Sequence, residues 1–339
     1  MIIEENGKNK EEYAEIYQVA HMYYNLNMVQ SEIASKLYLS RPKVSRLLTQ
    51  ARELGIVEIK VNPIIERLTP LEEKLSKLFH LKDAVVITNH PDKMELMEDY
   101  LTEFAAHYTG KLLKKGGILG VSNSGTINAV LNKLAFSDTA ATEIVQLTGA
   151  ATNSFSMQDT TLILTRLASD HEKLKIHPLS VPLYVNDLYL KEVLLQDSNI
   201  HAVFQKMTQC GIVLTNISGL EKDVQRHISW HEQMSPHHIE ELTERKAVGS
   251  ICAQYYDING IKVTSEWNAK TLAMNIHDFS RIDTRIGIGQ GLDKLKAFLG
   301  ALHGQILNVV ITDANTASDL IEMEEKFQKS RRLKNNSKE

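Results

Sequence analysis

After residue 80 the chain alternates short apolar runs with helical stretches, and that alternation leaves few folds open. Runs at 84–87, 117–121, 143–147, 211–215, 285–288 and 307–311 read as strands, and 93–113, 126–134, 159–168 and 293–302 as helices. Strands this short and this uniformly apolar are buried on both faces. They predict an α/β fold with a doubly wound, mostly parallel sheet covered by helices on each side. The chain has 339 residues, so at ~100–200 residues per domain there is room for about one more domain.

That second domain is expected at the amino end. Residues 11–50 are helical in pattern and contain no glycine. Gly55 then punctuates, residues 56–61 alternate like a strand, and Asn62-Pro63 breaks the run. The expected organisation is a small helical domain over 1–62, a linker or oligomerising helix over 63–80, an α/β domain over 81–321 and a polar tail over 322–339. The linker expectation rests on Leu68, Leu71, Leu75 and Leu78, spaced as one helical stripe.

The DNA-binding reading comes from residues 30–48. Ile33, Ala34 and Leu37 make one apolar helical face, Leu39 fills the turn, and Val44, Leu47 and Leu48 make a second face. Ser40 can cap the second helix, and Pro42 falls in its first turn, where a missing N–H costs little. This is the pattern of a helix-turn-helix, with residues 56–61 as a wing. Gln30, Ser40, Arg41, Lys43, Ser45, Arg46 and Gln50 are the candidate DNA contacts, since arginine and lysine suit guanine edges and phosphates. Tyr38 occupies the turn position where glycine or asparagine is usual.

Overall charge points the other way. There are 38 Lys+Arg against 42 Asp+Glu, a net −4. From Gln30 to Asn62, however, six Lys/Arg stand against three acids, a local +3. Two cysteines, Cys210 and Cys252, exclude a disulfide framework. The polar start is unlike a signal peptide, and no apolar run approaches the ~18 residues of a membrane span. A cytoplasmic, reduced setting is expected.

These residues resemble the SorC/DeoR-type sugar-responsive transcriptional regulators of bacteria. The resemblance starts at Tyr17 and continues through Gly120-Val121-Ser122, Gln146-Leu147-Thr148-Gly149-Ala150, Pro182-Leu183-Tyr184-Val185, Ala247-Val248-Gly249, residues 255–260, Gly300-Ala301-Leu302 and Ile311-Thr312-Asp313. It implies a DNA-bound homo-oligomer, dimer or tetramer, whose α/β domain is related to sugar-phosphate isomerases and binds a sugar or sugar phosphate. No cofactor and no metal are expected.

The effector site is expected at the strand ends. Ser122, Asn123, Ser124, Gly125 and Thr126 lie between a strand and a helix N-terminus, where hydroxyls and amides suit a phosphate or sugar. Gly289, Gln290, Gly291 and Lys294 form a second such loop, and Lys294 matches the family's phosphate lysine. Thr148, Gly149 and Ala150 end a third strand. Some relatives carry a lysine at the Thr148 position that bonds an aldehyde sugar covalently, so threonine implies non-covalent binding. Ser250 stands where relatives often have a carboxylate. Asn186, Ser218 and Gly219 complete the set.

Three other readings compete. Gly287, Gly289 and Gly291 followed by Asp313 suggest a dinucleotide site, but the spacing is G-x-G-x-G rather than G-x-G-x-x-G. An isomerase would need an acid/base pair, and Asp257, Asp283 and Asp313 each suit a turn or strand end. His227, His231, Glu232, His237 and His238 cluster without the H-E-x-x-H spacing of a zinc site. Neither a catalytic nor a metal constellation is expected.

Overall fold

The computed structural model describes residues 7–57, 67–88, 96–136, 140–150, 160–220 and 233–336, with side chains from Glu12 to Ser330. The chain divides into two compact units, Met1–Ile64 and Ile65–Glu339.

The first unit contains α1 (Gly7–Ala20), a wide turn over His21–Asn25, α2 (Gln30–Lys36) and α3 (Arg41–Glu53). Ile16, Val19, Ile33, Ala34, Val44, Leu47, Leu48 and Ala51 form its core. Ser40 caps α3 by accepting the Lys43 N–H at 3.3 Å, and Pro42 lies in the first turn. Glu32 accepts the Val29 N–H at the start of α2. Tyr38 holds the turn at φ +55° with 96% of its surface exposed. An L-residue in this left-handed region carries a steric cost of about 1–2 kcal/mol. Ile56 and Val57 pack on the core, and the rest of the expected wing lies outside the described residues.

The second unit is built on a seven-stranded, wholly parallel sheet. Its strands are β1 (Asp83–Ile87), β2 (Gly117–Val121), β3 (Thr142–Gln146), β4 (Leu174–His177), β5 (Ile212–Asn216), β9 (Thr284–Ile288) and β10 (Val309–Asp313). Their order is β1-β10-β9-β5-β2-β3-β4. Between β5 and β9 a small antiparallel sheet inserts, made of β6 (Ser218–Gly219), β7 (Ala247–Ile251) and β8 (Gln254–Asp257).

Helices cover both faces of the large sheet. α5 (Met97–Leu112), α6 (Gly125–Lys133) and α7 (Thr160–Asp170) pack with Val85, Ile87, Leu119 and Val121. On the other face α4 (Thr69–Phe79), α9 (Ser198–Met207), α12 (Leu295–His303) and α13 (Ala314–Asn336) pack with Ala84, Val86, Val145 and Val213. Successive residues of β1 thus serve opposite cores, as the period of a strand requires. The remaining helices are α8 (Leu188–Gln196), α10 (Pro236–Glu244) and α11 (Glu266–Lys270).

Two boundaries differ from the sequence expectation. The leucine stripe of α4 is not a free linker: Leu75 is fully buried and Leu68, Leu71 and Leu78 pack on the large core. Buried Glu72 pins this helix to β1, accepting from Arg67 Nε at 2.8 Å and the Val86 N–H at 2.9 Å. At the other end, α13 runs unbroken from Ala314 to Asn336 instead of fraying at 322. Buried Glu324 anchors its middle, 2.7 Å from His303 Nε2 on α12.

Candidate functional site

On α3 the exposed residues are Arg41, Pro42, Ser45, Arg46, Thr49, Arg52 and Glu53. Positions four apart share a face, so Arg41, Ser45 and Thr49 make one stripe with Arg46 beside it. Thr49 belongs to this stripe and was legible from the same i+4 spacing that selects Ser45. Lys43 does not join the stripe as expected. Its ammonium turns back to α1, 2.7 Å from Glu15 Oε1. Gln30 and Gln50 are half-buried at the two ends of the motif.

In the second unit the strand order creates a natural crevice. From β2 the chain steps outward to β3 and β4, then returns across β2 to β5 and continues to β9 and β10. Connections therefore leave β2 and β5 in opposite directions, and ligands of open parallel sheets bind at the carboxyl ends of such a switch point. At that point Ser122 Oγ donates to Asn216 Oδ1 at 3.4 Å, joining the ends of β2 and β5. Asn216 Nδ2 in turn donates to Ser218 Oγ at 3.1 Å. Ser218 lies opposite Ser250 in the β6–β7 register, so both share one face of the small sheet.

A second polar branch enters from β3. Gln146 Nε2 donates to the Thr148 carbonyl at 2.9 Å, and Thr148 bridges to Ala273. Gln254 of β8 donates to the carbonyls of Ala273 and Met274, which returns the branch to the small sheet. The seam has two gaps. Thr148 Oγ1 and Ser250 Oγ are buried, each residue 1% exposed, with no hydrogen-bond partner among the described residues. An orphaned buried hydroxyl costs ~1–3 kcal/mol, and native proteins leave few.

The other expected residues fall into three groups. Ser124 caps α6 by accepting the Ile127 N–H at 3.2 Å. Thr160 Oγ1 lies 2.8 Å from Asn123 Oδ1 and 2.7 Å from Asn128 Oδ1; having one proton, it bonds one of them at a time. Gly125 opens α6, and Thr126 directs its hydroxyl to Glu98, 3.2 Å away. Gly291 opens the β9–α12 turn at φ +105° and donates its N–H to Thr316 Oγ1 at 2.8 Å. Lys294 follows in that turn, half-buried with its stem beside Gly289, and Gln290 is also half-buried. Gly219 packs on the Asp293 backbone, so this loop adjoins the seam.

Three expected contacts are redirected. The N–H groups of Gly149 and Ala150 donate to the carbonyls of Leu272 and Val181, so neither is free for a ligand. Asn186 is exposed before α8, and among the described residues no hydrogen bond ties it to the seam. Asn216, Gln146 and Gln254 were not selected from sequence. Asn216 carried a signal, as the last polar residue of an apolar strand; the glutamines carried none.

The rival constellations resolve into structural roles. A Cβ at Gly287 would stand 2.3 Å from Leu307, so this glycine makes room for packing. Asp313 accepts the N–H groups of Asn315 and Thr316, and Asp257 those of Asn259 and Ile261. Asp283 pairs with Lys82, which holds its carboxyl below the usual range. His238 accepts the Ser235 N–H at Nδ1 and meets the Tyr184 hydroxyl at Nε2. Burial keeps its pKa below the ordinary histidine value. His227, His231 and Glu232 lie outside the described residues. Among the described residues no group of three His, Cys, Asp or Glu could hold a metal. Cys210 and Cys252 are free and buried, which pushes both thiols up to about 12. No described helix is long and apolar enough to cross a membrane.

Comparison with known proteins places this geometry. The family described as "Putative sugar-binding domain" matches residues 64–322. The sorbitol operon regulator of Klebsiella pneumoniae is 27% identical over 315 residues, 93% of this chain and 99% of that protein. The deoxyribonucleoside regulator of Bacillus subtilis is 28% identical over 307 residues, 90% of this chain and 96% of that protein. Among solved structures, full-length sorbitol operon regulator SorC from Klebsiella pneumoniae superposes with a TM-score of 0.69 at 26% identity, covering 90% of this chain and 97% of that one. A DeoR family transcriptional regulator from Listeria monocytogenes shares the fold at a TM-score of 0.67 and 23% identity, covering 74% of this chain and 98% of that one. With its helix-turn-helix unit and its parallel sheet, the chain belongs to the SorC/DeoR-type sugar-binding transcriptional regulators.

Proposed function

We propose that the chain is a DNA-binding regulator of a carbohydrate-utilisation operon, controlled by a sugar or sugar phosphate held non-covalently in the second unit. The observation that carries the effector reading is the pair of orphaned hydroxyls, Thr148 and Ser250, in the polar seam at the sheet's switch point. Ligand hydroxyls would satisfy both, and Lys294 in the adjoining loop suits a phosphate. Thr148 has no amine for a Schiff base, which supports non-covalent binding. The relatives' names, a sorbitol operon regulator and a deoxyribonucleoside regulator, support a polyhydroxylated effector.

The protein acts by binding and not by catalysis. Asp257, Asp283 and Asp313 are each committed to turns, caps or a lysine, and no cofactor enters the scheme. It works in the cytoplasm as a homo-oligomer on double-stranded operator DNA. The local +3 of the helix-turn-helix segment is small, so several linked subunits are needed for useful affinity.

The test is a fluorescence-anisotropy titration of operator DNA across a salt series. Replacing Arg41 and Arg46 with alanine should weaken binding and flatten the slope of log K against log salt by roughly two, one per lost phosphate contact. Unchanged affinity and slope would refute the assignment of α3 to DNA.

A further inference from the structure

Outside the seam, a second concave site lies beside the β8 hairpin. It is a cavity of about 310 Å³ whose lining includes Lys262, Thr264, Ser265, Asn268, Ala269 and His277. Three elements build it. Lys262 follows the hairpin turn, where it bridges to Tyr256. α11 forms one wall, and the turn Ile276–Arg281 brings in His277. A second lysine, Lys191 of α8, reaches the same wall and donates to the Ala269 carbonyl at 2.6 Å. That bond uses one of its three N–H groups.

Of the acids close by, Glu266 lies 2.7 Å from Lys270, and Asp278, 3.6 Å from Arg281, also acts on Lys262. No carboxylate is hydrogen-bonded to Lys262 or Lys191 among the described residues. Burial, with the charge of Lys191 adding to it and that of Asp278 opposing it, pulls Lys262 down to about 8; burial also lowers Lys191. The wall itself is rigid. Asn268 accepts the Tyr255 N–H and donates to the carbonyls of Tyr255 and Val263, so both of its amide hydrogens are used. The two ammonium groups lie close enough to act on each other, and a multiply charged anion would give both a charge-assisted partner.

We propose that this cavity is a second ligand site, taking a phosphate dianion, free or as a monoester, between Lys262 and Lys191. The hydroxyls of Thr264 and Ser265 and the His277 ring complete its rim. The site is separate from the sugar seam, but not remote: α11 runs on into Thr271–Ala273, and Ala273 bridges Thr148.

The experiment is calorimetric titration of the full chain with inorganic phosphate, and in parallel with glycerol phosphate, at constant ionic strength. Lys294→Ala, which removes the phosphate partner beside the seam, should still bind both probes at one site. Lys262→Met should lose roughly tenfold in affinity, the weight of a charge-assisted hydrogen bond, and Lys262→Arg should keep most of it, which separates lost charge from lost fold. Tighter binding of glycerol phosphate than of phosphate would identify the ligand as a monoester; the reverse would identify free phosphate. The proposal is overturned if Lys262→Met binds as wild type does, if Lys294→Ala alone abolishes binding, or if wild type binds neither probe at millimolar concentration.

Discussion

Thr148 and Ser250 are where a single side chain decides between structure and function. A buried hydroxyl kept for stability has a partner; these have none among the described residues. Thr148→Val and Ser250→Ala should therefore leave stability unchanged or raise it by about 1 kcal/mol, because each removes a desolvated polar group. The same variants should blunt sugar-induced release from, or capture by, operator DNA. Chemical denaturation beside an effector titration checks both halves, and a loss of stability with an intact response would reverse the interpretation. Tyr38 is the opposite case. Its φ of +55° and 96% exposure mean that Tyr38→Gly relieves strain at some entropic cost. A net gain of about 0.5–1 kcal/mol is expected in the urea unfolding of the first unit. Sequence identified Tyr38, Thr148 and Ser250 as departures from a pattern. It could not reveal that Lys43 is drawn to Glu15, since that depends on how α1 lies against α3.

At the scale of elements, chemistry depends on how closely backbones approach. β7 crosses α12 so tightly that a Cβ on Gly249 would stand 2.2 Å from the Ala297 Cβ. Gly249→Ala should cost about 1–3 kcal/mol by overpacking. It should also disturb the β6–β7 pairing that sets Ser218 opposite Ser250. Thermal unfolding of this variant, compared with a glycine-to-alanine change at open Gly211, tests the contact. The strands of the large sheet were legible because each is a short apolar run, and observed bounds fall within two residues of those expected. β4 and the small sheet were not legible. β4 alternates apolar Leu174 and Ile176 with Lys175 and His177, as an edge strand does. β6 has only two residues, and no local period marks a strand so short. The α4 stripe was legible as a helix face, and its packing on the large core was not, because periodicity shows that a face is buried and not what buries it.

For the molecule as a whole, the two units predict separable defects. Replacing Arg41 and Arg46 should weaken operator binding without altering the rise in melting temperature that a bound sugar phosphate gives the second unit. A ligand at 100 times its Kd contributes about 2.7 kcal/mol. Lys294→Ala should remove that rise and leave DNA affinity in the absence of effector unchanged. Paired thermal-shift and anisotropy titrations on both variants decide the matter; a change in both readouts from either variant would contradict separate sites. The net charge of −4 takes its place at this scale too. It hides a basic helix-turn-helix segment behind acidic neighbours, and an acidic second unit discourages loose attachment to DNA.

The sequence by itself determined what is periodic or chemically punctuated: the capped helix-turn-helix, the parallel α/β alternation, and the polar loops where strands hand over to helices. These are local properties, encoded within a few residues of one another. Only the tertiary structure decided that Asn216 joins Ser122 to Ser218, that the Thr148 and Ser250 hydroxyls of the seam have no partner among the described residues, and that Lys191, 71 residues before Lys262, bonds the wall of the cavity that Lys262 lines. Such pairings arise from strand order and helix docking. They are set by the burial of apolar surface across the whole unit, which no short stretch of sequence specifies.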